Sequence, residues 1–397
     1  MILVCKNTKK LAYIQKKVYF CTDFYKRMKD IYLIYLDWLR ASLWSKIPST
    51  PLPQGEELSQ LLALCRRQAT GAMVYPLILE RSSQLSDAVK QQLQMHCLQT
   101  MREQVRLQHT LLSVWRVLTQ AGIQPVLFKG ISLAALYPTP SMRQWGDIDL
   151  YVGRAHFHAA CQAIREAFPG AQEEGEESDR VKHYEFYVED VMVEIHRRAV
   201  SLTHPCDIRR FRSIEQRQLD DLTQADTIRV ENEEIRIPGA DFYTLFVFMH
   251  SWEHTLWTGS NAKHFSDLTL VLHHYAQRID RKQLISNLRR LRLLDVWKMY
   301  MYILVNYFGL PADEAPCYTP RCSRRAERFL IDTLEGKMHD NRTTDKPVPT
   351  SVLARKIYTM RHRLRKPRRI AKYSPAFALH MTSPILLHGL KRLPVWR

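Results

Sequence analysis

An alternating hexapeptide at residues 147–152, DIDLYV, constrains the fold of this chain more than any other segment. Apolar side chains at every second position predict a β-strand whose Ile148, Leu150 and Val152 face a core. Asp147 and Asp149 then share the opposite face, with Cα atoms roughly 6.6 Å apart. Carboxylates at this spacing repel each other unless a cation lies between them. Since Mg²⁺ prefers carboxylate oxygens completed by phosphate and water, the hexapeptide predicts a metal–phosphate site, although such pairs also occur by chance in loops.

A lysine–glycine turn precedes this strand. The apolar run at 126–128 ends at Lys129 and Gly130, and a short helical segment containing Ser132 follows. Backbone amides at 130–132 are expected to bind a triphosphate, because a helix start offers aligned donors and the positive end of a dipole. Lys129 and Arg143 would add positive charge at the phosphates. A surface position for Lys129 and a loop salt bridge for Arg143 are the alternatives.

A hairpin of two further strands is predicted at 183–188 and 191–196, with its turn at Glu189 and Asp190. On the second strand, Glu194 and His196 share one face, opposite the apolar one. A carboxylate within an apolar strand is unfavourable unless it is paired or bound to a cation. Glu194 is therefore predicted to be the third metal ligand. His196 could orient a carboxylate or phosphate, or could equally be a hydrogen-bonded histidine at a strand end.

Four motifs resemble the signature of the uncharacterised nucleotidyltransferase family, which belongs to the polymerase-β-like nucleotidyltransferase superfamily. They are Phe128-Lys129-Gly130, Arg143, Gly146-Asp147-Ile148-Asp149 and Val193-Glu194-Ile195-His196. The resemblance runs from about residue 35 to about residue 310. It implies an α/β (α+β) nucleotidyltransferase core with a small mixed sheet, flanked by N-terminal and C-terminal helical regions. The family usually has aspartate where this chain has Glu194, which is one methylene longer.

The same resemblance implies a reaction. Asp147, Asp149 and Glu194 would hold Mg²⁺ or Mn²⁺. A nucleoside triphosphate would transfer its nucleoside monophosphate to an acceptor hydroxyl and release pyrophosphate. The sequence leaves open whether the acceptor is a small molecule or a protein. The competing hypothesis is a non-catalytic protein of the same fold that binds nucleotide or nucleic acid.

Polar residues in the C-terminal helical region also match the family. His250, Lys263 and Asp267 resemble positions that contact the nucleotide or support the metal ligands. Hydrogen bonding between buried helices is an equally good explanation for them. His250 and His254 lie four residues apart, but Glu253 precedes His254 instead of following His250, so the zinc-protease pattern is absent.

Five segments are expected along the chain. They are a basic N-terminal helical arm at 1–50, a helical region at 51–122, the nucleotidyltransferase core at 123–239, a helical domain at 240–345 and a basic tail at 346–397. The longest helix is predicted at 86–120, with a core stripe of Leu98, Met101, Val105, Leu112, Trp115 and Leu118. The acidic run at 173–177 is predicted to be a solvated loop, because its spacing shows no pattern.

Positive charge is concentrated at the two ends of the chain. The formal net charge is +18, of which residues 1–46 contribute +7 and residues 346–397 contribute +13. The part between them is therefore near neutral. A basic tail without acids can bind nucleic acid through counterion release or an anionic membrane surface through its polybasic charge. The sequence does not rank these two partners.

Cysteine usage and hydropathy bear on the compartment. Eight cysteines are scattered and form no Cys-x-x-Cys pair, which argues against a zinc ribbon or disulfide scaffold and favours a reducing compartment. Lysines interrupt every early apolar run, so no signal peptide is expected. The longest uncharged stretch, 373–390, contains prolines and is a poor membrane span. A cytoplasmic protein is expected, with peripheral membrane contact through the tail as an option.

Overall fold

The computed structural model describes residues 29–338, apart from 176, 180, 203, 221, 222 and 224, together with residues 364–365 and 367–389. The first 28 residues of the expected N-terminal arm and most of the basic tail lie outside the described residues. Four helices precede the sheet: α1 Asp30–Leu43, α2 Gly55–Arg67, α3 Gly71–Leu79 and α4 Asp87–Gln120, the last within one residue of its predicted bounds. Helix α3 packs along α4, and α1 packs against α2 and α3.

A five-stranded mixed sheet forms the centre of the core. Its strands are β1 Val126–Leu127, β2 Asp147–Tyr151, β3 Gln172–Glu174, β4 His183–Val188 and β5 Val191–His196, and their spatial order is β1-β2-β5-β4-β3. Only β2 and β5 pair in parallel among these strands. Parallel pairing requires a long crossover. Helix α6 (Gly153–Ala167) lies in that crossover, and the short helix α5 (Ile131–Ala134) follows β1.

The hairpin of β4 and β5 has the bounds that the alternating pattern predicts. Tyr184 and Phe186 on β4 are buried, as are Val193 and Ile195 on β5. The two turn residues at 189 and 190 have positive φ angles of 51° and 61°. Positive φ at both central positions belongs to the turn type that matches the twist of two-residue hairpins. The turn therefore fixes the register that later positions the site.

A second hairpin and a set of helices complete the fold. The elements are α7 Pro205–Glu215, a π-helical turn at Gln216–Asp220, β6 Asp226–Val230, β7 Glu233–Ile237, α8 Ala240–Trp257, α9 Ala262–His274, α10 Arg281–Arg290, α11 Leu294–Tyr307, α12 Ser323–Leu334 and α13 Pro375–Gly389. Helix α8 packs against both the sheet region and the C-terminal helix α11. Its Phe246 ring lies 4.5 Å from that of Phe128, and its Phe248 ring lies 5.0 Å from that of Trp297.

The predicted core stripe on α4 is wrong in its N-terminal half. The three C-terminal members of the stripe are buried, but Leu98, Met101 and Val105 are exposed. In that half the helix buries Leu93 and Cys97 instead. Apolar spacing predicts which residues share a face, but tertiary packing decides which face another element covers.

The acidic run at 173–177 is also different from its prediction. Glu173 lies in the edge strand β3. Its carboxylate accepts hydrogen bonds from Arg165 Nη2 at 2.8 Å and from the Tyr184 hydroxyl at 2.8 Å. Charged side chains are common on edge strands, where they discourage pairing with other chains. The run is therefore partly a paired strand and not only a solvated loop.

Part of the predicted basic tail packs against helix α8. Phe377 and Met381 of α13 are buried, and the Phe377 ring lies 5.5 Å from that of Trp252 on α8. Arg369 Nη2 donates a hydrogen bond to the carbonyl oxygen of Thr255 at 3.1 Å. Among the described residues, no helix combines the length and the apolar character needed to cross a membrane.

Candidate active site

Three carboxylates converge on one face of the sheet. Asp149 on β2 lies directly beside Glu194 on β5 in the parallel register, and Asp147 lies two residues before Asp149 on the same face. Ligand oxygens of all three side chains lie within 4.8 Å of one another. The apolar residues Ile148 and Leu150 are fully buried on the other face. Strand alternation and parallel pairing therefore build the acidic cluster that the sequence predicts.

The ammonium group of Lys129 lies between the two aspartates. Its Nζ is 2.6 Å from Asp147 Oδ2 and 3.0 Å from Asp149 Oδ2. Burial disfavours a charged lysine, but the carboxylates of Asp147, Asp149 and Glu194 outweigh burial and raise the pKa of Lys129. Burial likewise opposes ionisation of Asp147, and Lys129 outweighs it and lowers the Asp147 pKa. The positive charge of Lys129 thus lies between the two aspartates and relieves their mutual repulsion.

Two histidines hold Glu194. Its Oε2 lies 2.9 Å from His196 Nε2 and 2.8 Å from His183 Nδ1. His196 Nε2 also lies 3.0 Å from Asp149 Oδ1, so one imidazole contacts carboxylates on both strands. Burial alone would raise the pKa of Glu194, but its close contacts with both histidines lower it. His196 responds in the opposite sense: burial lowers its pKa, and the carboxylates raise it above the ordinary value.

The acidic cluster fits a hard divalent cation. Within the described residues, Asp149 Oδ2 is buried and accepts no hydrogen bond, although Lys129 lies beside it. Burial and the neighbouring carboxylates of Asp147 and Glu194 raise the pKa of Asp149. A donor set made of carboxylate oxygens suits Mg²⁺ or Mn²⁺ better than a soft metal. These residues could therefore hold such an ion if Lys129 shifts or shares the site.

The turn after β1 requires a glycine. Gly130 has φ of 78°, and a Cβ atom there would lie 2.6 Å from Cε3 of Trp145. The turn leads into α5, which has only four residues. The side chain of Ser132 faces the protein interior, where its hydroxyl lies 2.7 Å from that of Tyr243. The predicted helix start is therefore short. The turn positions its backbone amides, whereas the Ser132 side chain points toward Tyr243.

Arg143 and Asp267 form a buried ion pair. Arg143 Nε and Nη2 donate to the two carboxylate oxygens of Asp267 at 2.6 Å and 2.8 Å, and Nη1 donates to the carbonyl oxygen of Gly130 at 3.2 Å. The hydroxyl of Tyr137 donates to the same carboxylate at 2.6 Å. Burial opposes both charges, but each partner outweighs it, so the Asp267 pKa is lowered and the Arg143 pKa is raised. The pair fastens the glycine turn to α9.

A cavity of about 270 Å³ lies between this turn and helices α8 and α9. Lys129 and Asp147 border it on the sheet side, and His250 and Lys263 border it on the helical side. The Lys263 Nζ donates to the carbonyl oxygen of Gln144 at 3.1 Å. Burial, followed by the charge of Arg143, lowers the Lys263 pKa to about 8. Two lysine side chains, Lys129 and Lys263, therefore border the cavity from opposite sides.

Three imidazoles form one wall of the cavity. His250 Nε2 lies 3.1 Å from His254 Nε2, and the rings of His254 and His264 stack with centroids 4.5 Å apart. Burial and the charges of Lys129 and Lys263 lower the His254 pKa to about 4. The nearby lysines make this wall unfavourable for a metal cation. The backbone N–H of Asn261 also donates to His264 Nδ1 at 3.3 Å, as part of the α9 cap.

The structure places all the predicted residues except Ser132 in two sets. Asp147, Asp149, Glu194, Lys129 and His196 form one connected cluster, while Gly130, His250 and Lys263 border the cavity. Arg143 and Asp267 also border the cavity, but their charged groups pair with each other, and Ser132 is buried against Tyr243.

Sequence reasoning missed several side chains of the site. His183 lies directly across from His196 in the antiparallel register of β4 and β5, so the hairpin turn could have indicated it. His264 and Trp145 reach the cavity through contacts between distant segments, for which the sequence carries no comparable signal.

Carboxylates from two adjacent parallel strands of a small mixed sheet, beside a lysine–glycine turn, define a core of the nucleotidyltransferase class. Residues 54–309 match the family described as an uncharacterised nucleotidyltransferase, and the chain belongs to this family. The expected family and fold class are thus confirmed. Membership supports nucleotidyl transfer as the general function. Neither the curated proteins nor the solved structures gave a match.

Proposed function

We propose that this protein is a Mg²⁺-dependent nucleotidyltransferase that transfers a nucleoside monophosphate from a nucleoside triphosphate to an acceptor hydroxyl. The convergence of Asp147, Asp149 and Glu194 is the observation that carries the proposal. Family membership supports the reaction class. The cavity bordered by Lys129 and Lys263 supplies positive charge where a triphosphate would lie.

The reaction forms one bond and breaks one bond at the α-phosphorus. The acceptor hydroxyl oxygen attacks in line and gives up its proton to solvent, the bond to the bridging oxygen breaks, and pyrophosphate leaves with the electron pair of that bond. When bound by the three carboxylates, Mg²⁺ or Mn²⁺ would make the hydroxyl more acidic and neutralise charge on the phosphates. The chain itself contributes position and electrostatics. His196 fixes the orientation of Asp149 and Glu194 through its Nε2 contacts.

We assign the remaining residues two kinds of role. Lys129, Lys263, His250 and the backbone at Gly130 would contact the nucleotide, because all four border the cavity. Arg143 and Asp267 border the cavity too, but they are paired with each other and would instead support nucleotide binding by holding the glycine turn in place, as Ser132 would through Tyr243.

Activity assays with α-labelled nucleoside triphosphates test the proposal. The wild-type protein with Mg²⁺ should release pyrophosphate and transfer label to an acceptor from a panel of small hydroxyl compounds and co-purifying proteins. The double variant Asp147→Asn/Asp149→Asn should lose this activity. Asp313→Asn, at an exposed aspartate, is the matched control and should keep it. Absence of label transfer, together with no Mg²⁺-dependent nucleotide binding, would refute the proposal.

A non-catalytic nucleotide- or nucleic-acid-binding protein is the second candidate. The observation in its favour is that Lys129 already neutralises Asp147 and Asp149, while His183 and His196 hold Glu194. Most of the charge of the acidic cluster is therefore compensated by neighbouring side chains, although Asp149 Oδ2 accepts no hydrogen bond from the described residues. The basic tail would then carry the interaction with nucleic acid or an anionic membrane surface.

Charge-neutralising variants distinguish the two candidates. Arg365 and Arg368 are exposed, whereas Arg369 caps α8 and must be kept. Arg361→Gln/Arg363→Gln/Arg365→Gln/Arg368→Gln should abolish salt-sensitive binding of nucleic acid or anionic vesicles if the tail is functional. The second candidate is favoured if Asp147→Asn/Asp149→Asn leaves all measurable function unchanged.

Free thiols at all six described cysteines support a reducing compartment such as the cytoplasm.

A further inference from the structure

A second cavity, of about 550 Å³, lies beside the C-terminal end of β2. It is bordered by Tyr151, the first turn of α6 and the last turn of α7. Tyr151 is four residues beyond Asp147, which corresponds to about 13 Å along a strand. A small adjoining cavity shares Arg154, Arg212 and Glu215 with it and adds Arg198. This space is therefore distinct from the cavity beside the acidic cluster.

Positive charge converges on the second cavity. Arg154 is half-buried and Arg212 is exposed. Burial, followed by the charges of Arg212 and Arg197, lowers the Arg154 pKa. Glu215 is the one carboxylate among the residues that border either cavity, and its Oε1 accepts a hydrogen bond from the Ala199 N–H at 2.5 Å. The guanidinium groups therefore outnumber the acid.

Other arginines of the same core differ in this respect. Arg165 pairs with Glu173 and Glu177, and Arg116 pairs with Glu233. Solvent screens part of the charge of the exposed Arg212, but guanidinium groups that outnumber the neighbouring carboxylate still favour an anion between them. The second cavity thus carries unmatched charge in a concave space.

The backbone adds to this charge. The 15-residue helix α6 begins at Gly153, and its N-cap Val152 provides no side-chain cap. The first residues of the helix border the cavity. An uncapped helix start directs N–H donors and the positive end of the helix dipole toward whatever lies there.

We propose that the second cavity binds a phosphate group, either as inorganic phosphate or as part of a phosphorylated organic ligand. Guanidinium groups of Arg154 and Arg212 would hold the phosphate oxygens through charge-assisted hydrogen bonds. The cavity volume suits a ligand of nucleotide size. The inference does not depend on the proposed reaction, because it concerns binding alone.

Hydrogen exchange and titration calorimetry on the full chain test the site. EDTA is present throughout, so that metal-dependent nucleotide binding at the carboxylates does not contribute. The probes are inorganic phosphate, adenosine monophosphate and a short single-stranded RNA. Phosphate should slow exchange of amides at 153–156. Arg154→Gln/Arg212→Gln should weaken phosphate binding about tenfold or more, while Arg102→Gln, at an exposed arginine of α4, should leave it unchanged.

Unfolding temperatures measured without and with phosphate separate a loss of phosphate binding from a folding defect. Without phosphate, Arg154→Gln should unfold at the same temperature as the wild type or higher, because it removes charge repulsion. Added phosphate should raise the unfolding temperature of the wild type but not of the double variant. Tighter binding of RNA than of the mononucleotide would identify a nucleic-acid backbone as the source of the phosphate, and equal binding would identify a small ligand. Phosphate binding that is absent, or equal in wild type and double variant, overturns the proposal.

Discussion

Replacing Asp267 by asparagine should destabilise the fold strongly, because it leaves the buried guanidinium of Arg143 without a counter-charge. Arg143 is 2% exposed and Asp267 is 4% exposed. The carboxylate accepts two hydrogen bonds from Arg143 and one from Tyr137. After the change, the guanidinium keeps the carbonyl oxygen of Gly130 and one neutral amide oxygen as acceptors. Removing one partner of a buried pair in this way typically lowers the free energy of unfolding by about 3–5 kcal/mol.

A double variant separates lost charge pairing from lost volume. Arg143→Met/Asp267→Asn removes both charges but leaves an amide oxygen for the Tyr137 hydroxyl. The double variant should therefore be more stable than Asp267→Asn alone, because no unpaired charge remains buried. Urea unfolding followed by tryptophan fluorescence measures both free energies. Asp313→Asn, at an exposed position, is the control and should stay within about 0.5 kcal/mol of the wild type.

Urea unfolding together with a nucleotide-binding measurement can refute the supporting role of the pair. If Asp267→Asn unfolds like the wild type but loses nucleotide binding, Asp267 contacts the nucleotide directly and does not act through the turn. If the double variant is less stable than the single variant, the Arg143 side chain stabilises the fold through packing and its hydrogen bond to Gly130, which the charge argument omits.

Three further predictions concern the site. Lys263 has a pKa of about 8, so its positive charge is present below pH 8 and lost above it; calorimetry should show nucleotide affinity falling between pH 7 and 9 in the wild type and a flatter profile in Lys263→Gln. Gly130→Ala should lower the free energy of unfolding by about 1–3 kcal/mol in urea titrations, because φ is 78° and the neighbouring indole blocks a Cβ, whereas Gly170→Ala should have little effect. Mg²⁺ should raise the unfolding temperature of the wild type but not of Asp147→Asn/Asp149→Asn, as scanning calorimetry would show.

The local elements of the core could be predicted because each has a sequence signal of its own. Strict alternation and a two-residue turn gave β4 and β5 their bounds. The spacing of Asp147, Asp149 and Glu194 among apolar residues placed each carboxylate on the polar face of its strand. Their convergence needed one further fact, the parallel pairing of β2 with β5, which the structure shows and the sequence did not indicate.

The tertiary partners of the site could not be predicted in the same way. Arg143 and Asp267 are 124 positions apart, and nothing local distinguishes a phosphate-binding arginine from one that pairs with a buried aspartate. The exposed N-terminal half of α4 shows the same limit, because an apolar stripe does not state what covers it. Contacts between distant segments depend on the assembled fold, which short-range patterns leave undetermined.

Glu194 is longer than the aspartate that the family resemblance led us to expect, and its contacts explain how the longer side chain can serve the same cluster. A free glutamate would spread its carboxylate over several rotamers, which would weaken a defined ligand position. Here His183 and His196 both contact Oε2, so neighbouring side chains fix the carboxylate. His196 also contacts Asp149, so Glu194 is tied to the adjacent strand as well as to its own. The position of the third carboxylate is therefore set by the histidines, and a change at His183 or His196 should disturb the cluster more than the extra methylene does.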